Sequence, residues 1–406
     1  MQKKLIALAV AGICAAPAFA QSNVTVYGRV DYGYMSRGGD SGGINTNGTK
    51  SEMASGMQAG SRLGFKGSED LGNGLKAIFE VEQGLQSDSS AATGAGVFST
   101  LNRHSYVGLT SNKWGTVVGG RLDGVRYGIF NTYDAFAGGG MGNWTQMTQQ
   151  VDRADNAIAY ISPTFGGGFS LVLAHARSVA GQEYTGGQST AGATTAGSAK
   201  SNTGDGRLYT INGKYSNGPI SIDLDYETVK FKNTNNAAVA AGLGAGALTV
   251  PLNLSVDDVV VWTIAGSYDF GMVKVRALYD HHEADGSRNF RTVATKSQVV
   301  DYDDWLISAT VPYGNFLFKA TYGSMNDQRN ALERPAVAAG LAGPQGDATK
   351  WGLGMNYSLS KRTNVYVDYA QINNDRNANY AIAPAANTQG AGYGTTGFNM
   401  GLAHNF

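Results

Sequence analysis

Five histidines and one cysteine, Cys14, bound the chemistry that this 406-residue chain could perform. His281-His282-Glu283 is the one run in which imidazoles and a carboxylate adjoin, a combination that could ligate a metal. Consecutive strand residues point to opposite faces, so they make poor joint ligands, and the run is expected at a solvated tip where a strand enters a long loop. His104 and His175 are the bases a serine hydrolase could recruit, but neither has a partner at a recognisable spacing. There is no spaced His/carboxylate zinc motif. The glycines of "GAGALTV" and "GGRLDG" do not follow a strand into a helix, as a phosphate cradle requires. No catalytic residue, cofactor or metal is expected.

The remaining chemistry is charge carried on alternate positions. In "GPISIDLDYETVKF" Ile220, Ile222, Leu224 and Tyr226 alternate with Ser221, Asp223, Asp225 and Glu227. Val273, Val275, Ala277 and Tyr279 alternate with Lys274, Arg276, Leu278 and Asp280. Leu75, Ala77, Phe79 and Val81 share one face, and Lys76, Glu80 and Glu82 lie on the other. A period of two defines strands with one apolar and one charged face. Such strands cannot enclose a dry core on the charged side, and no amphipathic helix is apparent that would cover them.

Connections decide how these strands are organised. Short Gly/Asn/Pro/Ser turns fall at 67–74, 111–115, 162–168, 215–219, 268–272, 311–315 and 358–363. Long polar connections lie near 36–57, 84–98, 122–150, 178–206, 232–256, 284–297, 327–347 and 375–391. Seven short and eight long connections in alternation predict sixteen antiparallel strands closed into a transmembrane barrel, with tight periplasmic turns and long external loops. Closure leaves no unpaired strand edge in lipid. "MQKKLIALAVAGICAAPAFA" has the layout of a cleaved secretory signal, so the expected domains are a signal peptide at 1–20 and one barrel at 21–406. Without the signal the chain has no cysteine, and 29 basic face 31 acidic residues, a formal charge of −2 that offers no case for nucleic acid. The 57 glycines are about twice ordinary usage.

One stretch resists this pattern. "GGRLDGVRYGIFNTYDAFAGGGMGNWTQM" (119–147) keeps neither strand nor helix period after Arg121, yet Phe130, Tyr133, Phe136 and Trp144 are residues that disordered segments lack. These aromatics must pack against something.

The motifs "VTVYGRVDYGY" (24–34), "GSRLGFKGSEDLGNGLKAIFEVEQG" (60–84), "NRHSYVGLTSNKWGTVVGGR" (102–121) and "RADNAIAYISPTFGGGFS" (153–170), with the terminal Phe406, resemble the general porins of Gram-negative bacteria, particularly those of β-proteobacteria. The resemblance implies an outer-membrane homotrimer in contact with lipid and lipopolysaccharide. It further implies delivery by outer-membrane assembly machinery that reads Phe406, and passive diffusion of ions and small hydrophilic solutes. It makes 122–150 a third external loop folded inward, its aromatics on the inner wall, glycines 138–140 bending the backbone, and Asp123 and Asp134 on the loop. Opposite, the family's wall arginines map onto Arg62, Arg103 and Arg153, with Lys66 and Arg126 adding positive charge nearby. Alternation places Arg62 and Lys66 in the lumen, beside lipid-facing Leu63 and Phe65. Arg153 fits by sharing parity with Asp155. Arg103 shares a face with Val107 and Leu109, so its lumenal placement needs a bulge. This tally leans positive and predicts a weak anion preference. A substrate-specific channel and a receptor or adhesin barrel are the alternatives.

Overall fold

The structure, a computed structural model, describes residues 23–39, 49–88, 98–148, 151–177, 206–230, 254–290, 293–328, 346–375, 378, 380–382 and 394–406. The proposed signal lies outside the described residues. Chain order runs β1 (Asn23–Gly38), β2 (Thr49–Ser55), β3 (Arg62–Gly72), β4 (Leu75–Leu85), β5 (Phe98–Ser111), β6 (Gly115–Asp123) and α1 (Val125–Tyr133). It continues through β7 (Arg153–Ile161), β8 (Phe169–Arg177), β9 (Arg207–Asn217), β10 (Ile220–Lys230), β11 (Leu254–Asp269), β12 (Lys274–Phe290) and β13 (Val293–Tyr313). The last strands are β14 (Phe316–Asp327), β15 (Ala348–Ser358), β16 (Thr363–Asn374) and β17 (Thr396–Asn405).

Every neighbour pairs antiparallel, and β17 pairs back onto β1, so the sheet closes on itself. β2 and β3 are two halves of one stave. β2 pairs with Tyr32–Gly38 of β1 and β3 with Asn23–Arg29, which gives a sixteen-stave barrel from seventeen strand segments. The break at 56–61 is stapled by Asp31, whose carboxylate accepts the Gln58 and Ala59 N–H groups and the Tyr366 hydroxyl. All seven short turns are found where the sequence places them. At the first, Asn73 and Gly74 both take positive φ, 53° and 77°, the pairing a tight hairpin favours.

Alternation sets the faces. Ile220, Ile222, Leu224 and Tyr226 of β10 are exposed on the outer wall, while Asp223, Asp225 and Glu227 are buried inside. The outer surface carries a band of such apolar residues, the face a bilayer requires. No described helix is long and apolar enough to cross a membrane.

Three expectations about elements need correction: the expected connection at 36–57 contains β2, paired with the end of β1. The expected loop at 284–297 is a hairpin, with β12 and β13 paired as far as Phe290 and Val293. Backbone pairing beyond the bilayer does not demand apolar alternation, so a polar stretch there reads as loop. The stretch after Arg121 begins as strand to Asp123 and then forms α1. The buried face of α1 is Arg126, Ile129, Phe130 and Tyr133, a helical i, i+3, i+4, i+7 stripe. Its first member is an arginine, which disguises the period.

Candidate functional site

β6 and β7 are neighbours, yet the loop joining them reaches the opposite wall, so it crosses the barrel interior. The Tyr133 hydroxyl donates to Asp223 on β10 at 2.5 Å, and Ser308 on β13 donates to the Tyr133 carbonyl at 2.8 Å. Trp144 is fully buried and its Nε1 donates to Asp304 on β13 at 2.7 Å. Lys350 on β15 donates to the Asn143 carbonyl and to Gln146 Oε1, and the Lys319 ammonium on β14 lies 4.3 Å from the Phe136 ring centroid. The wall is notched to receive the loop. A Cβ on Gly323 would meet the Trp144 ring at 2.7 Å, one on Gly352 would meet the Gly142 Cα at 2.6 Å, and one on Gly354 would meet Phe136 at 2.8 Å. Gly138 and Gly140 turn the loop with φ of 67° and 74°, and the Gly140 N–H reaches the Met57 carbonyl in the β2/β3 break. The aromatics therefore pack on the inner wall.

Three expected pore charges occupy other places. Asp134 is buried and acts as an internal staple, accepting the Phe136 and Trp144 N–H groups at 2.9 and 2.7 Å. Burial lifts its carboxyl above the usual range, against the pull of those N–H groups and of Lys350 and Lys319. Arg126 faces away from the passage, with Nη2 2.6 Å from Asp280 on β12. Burial disfavours its charge, but Asp280 and Glu227 outweigh that and hold the guanidinium above its ordinary value. Asp123 is the last residue of β6 and belongs to the arginine wall, 2.9 Å from Arg153. Spacing along the chain placed both aspartates on the loop; only the end of β6 and the loop's own folding separate their roles.

The wall cluster itself is compact. Arg103 pairs with Glu82, which lies 3.7 Å from Arg62. His104 bridges Glu80 and Asp123 at 3.2 and 3.1 Å, so its partners are carboxylates. Tyr27 and Tyr106 donate to Glu80 at 2.5 and 2.7 Å, and Tyr127 of α1 lies beneath the Arg153 guanidinium, 5.3 Å away. The bulge that Arg103 requires is present, because the register shifts between Val81 and Gln83 so that Arg103 and His104 together oppose Glu82. A second shift, between Gly120 and Leu122, with Asn156 at φ 52°, breaks the parity of Arg153 and Asp155; Asp155 pairs with Arg121 instead. Lys66 is exposed nearer the periplasmic turn, 4.9 Å from the Tyr27 ring centroid.

Arg29 was not among the expected charges. It faces Arg62 directly across β1 and β3, and its Nη2 donates to Gln58. Alternation alone could have found it, since Tyr27, Arg29 and Asp31 share one face of β1 while Val26, Val30 and Tyr32 share the other. His282 is likewise no loop tip: it is a buried residue of β12 facing inward, whereas His281 faces the other way and pairs with Asp303.

A closed barrel with an apolar outer band and a charged inner wall, partly filled by a folded-in loop, defines a diffusion channel of the outer membrane. Residues 7–377 match the model of the Gram-negative porin family, and the chain belongs to that family. It is 28% identical over 430 residues to outer membrane porin protein 32 of Delftia acidovorans, covering all of both chains. It is 26% identical over 432 residues to an outer membrane porin protein of Bordetella pertussis, covering 97% of this chain and 99% of that one. Its fold matches that of an anion-selective porin from Comamonas acidovorans, with a TM-score of 0.68, 24% identity, and coverage of 95% of this chain and all of the other. The family comprises channels rather than enzymes.

Proposed function

We propose that the loop between β6 and β7 sets the narrowest part of this outer-membrane channel and that the passage weakly prefers anions. The observation that carries this is an asymmetry of charge. Among the described residues between β6 and β7 the exposed ones are Gly128, Thr132 and Ala137, with Tyr127 and Asn131 half-buried beside them, so this edge of the loop carries no charge; half-buried Asp152 lies at the β7 end. The wall beside it carries Arg29, Arg62, Arg103 and Arg153, against Glu80, Glu82 and Asp123. Glu82 and Asp123 are engaged by Arg103 and Arg153, while Arg29 makes no ion pair among the described residues. Guanidiniums stay charged at ordinary pH, so an anion in transit meets a net positive wall without an opposing row of carboxylates. Charge at the narrowest point decides selectivity, because an ion there cannot retreat beyond the screening length of about 8 Å.

Residues 1–20 are proposed to be the export signal, and the barrel to assemble as a homotrimer among outer-membrane lipid and lipopolysaccharide, as family membership suggests. Phe406 is the proposed assembly signal. Replacing Arg62 and Arg153 together by Gln should shift the zero-current potential in a potassium chloride gradient toward cation preference. An unchanged potential overturns the assignment.

A further inference from the structure

Beneath α1 the inner wall carries more negative charge than the loop brings to it. Strand register places Asp225, Thr263, Asp280 and Asp304 in one row across β10 to β13, with Glu227, His282 and Tyr302 in an adjacent row. The four carboxylates are buried, and the guanidinium of Arg126 is ion-paired with one of them, Asp280. Within this field Asp280, His282 and Asp304 each offer one ligand atom, and these atoms lie within 4.8 Å of one another. His282 Nε2 is 3.7 Å from Asp280 Oδ2 and 3.6 Å from Asp304 Oδ2. Ligands about 2.0–2.2 Å from a tetrahedral ion are separated by similar spans. Asp280 Oδ1 is also buried and accepts no hydrogen bond from the described residues.

The imidazole is in the tautomer a metal needs. Arg126 Nη2 lies 3.2 Å from His282 Nε2, and a guanidinium can only donate, so Nε2 must carry the lone pair. The proton then sits on Nδ1, which donates to the Tyr302 hydroxyl at 2.9 Å. That is the outer-shell bond that orients a ligating histidine.

We propose that Asp280, His282 and Asp304 form a binding site for one divalent cation of the zinc type, which Arg126 occupies as a built-in substitute while the loop is docked. An ion bonded to Asp280 Oδ2 and His282 Nε2 takes the space of Arg126 Nη2, so metal and docked α1 exclude each other. Two carboxylates and an imidazole suit Zn²⁺ better than the all-oxygen cages of Ca²⁺ or Mg²⁺. Linkage then makes Zn²⁺ a ligand that releases the loop, and makes loosening the loop tighten Zn²⁺.

The test is calorimetric titration of the chelator-treated, detergent-solubilised full chain with Zn²⁺, with Trp144 emission as a second readout because its indole bonds to Asp304. Arg126→Gln should bind one Zn²⁺ per chain about tenfold or more tightly than wild type. Adding His282→Asn should abolish that binding, and His281→Asn should leave it intact. Gly352→Ala, which pushes on the loop without touching the site, should also tighten binding, and it serves if Arg126→Gln does not fold. Equal affinity in wild type and both loosened variants, or survival of binding in Arg126→Gln/His282→Asn, overturns the site. In planar bilayers Zn²⁺ should raise wild-type conductance, a readout that rests on the loop narrowing the passage. Zn²⁺ binding with unchanged conductance overturns that constriction and leaves the site standing.

Discussion

One added methyl group should test whether the loop is held by the shape of the wall. Gly352→Ala places a Cβ 2.6 Å from the Gly142 Cα and 3.4 Å from the Phe136 ring, with no atom of another wall strand among its closest neighbours. Carbon atoms rest at about 3.5–4.0 Å, so the loop backbone must retreat by about 1 Å or the strand must strain. A retreat stretches the bonds from Lys350 to the Asn143 carbonyl, now 2.5 Å, and from Trp144 Nε1 to Asp304, now 2.7 Å, past the useful limit of about 3.2 Å. Each hydrogen bond to a charged partner contributes about 1.5–3 kcal/mol. Holding the loop in place instead costs about 1–3 kcal/mol of overpacking. The protein takes the cheaper course, so docking should weaken by about 1–3 kcal/mol, or roughly five- to 150-fold. Single-channel recording should show higher open-channel noise and larger conductance, with Trp144 emission shifted toward that of a wetter indole. Gly213→Ala on β9, where a Cβ meets nothing within 4 Å, is the control. If Gly352→Ala channels match wild type in conductance, noise and emission, the notched wall does not seat the loop.

Asp134→Asn should leave ion selectivity unchanged, because the carboxylate does not reach the passage, but should destabilise the docked loop. The amide turns one of two acceptor oxygens into a donor facing an N–H group, at a cost of about 1–3 kcal/mol, measurable as earlier thermal loss of Trp144 fluorescence. A shifted zero-current potential with an unaltered melt would contradict this placement. Phe406 exchanges two backbone hydrogen bonds of 3.1 Å with Gly28, and its ring covers the space that a Gly28 side chain would fill. Deleting Phe406 and Gly28→Ala should therefore both lower the amount of inserted barrel, while channels that do insert keep wild-type conductance; equal surface levels would count against it.

Which side of each strand meets lipid was legible from residue order, because a period of two is a local property of the pleat. Ile220 to Glu227 needed no partner to reveal an apolar and a charged face, and the seven tight turns follow from Gly, Asn, Pro and Ser in the same local way. Stave number and closure come from counting those turns. The loop between β6 and β7 obeys another rule. Arg126 looks like a lumenal charge until Asp280, 154 residues away, is placed against it, and Asp134 looks like a pore carboxylate until the loop folds its own N–H groups onto it. The first assignment depends on a contact distant in sequence and the second on an irregular fold of the loop itself, and no periodic pattern encodes either. The bulges that turn Arg103 inward and set Asp155 apart from Arg153 likewise arise from a mismatch between paired strands. Composition and alternation thus determine a barrel in a membrane; burial of charge against charge across its interior decides which residues line the passage and which only hold the loop in place.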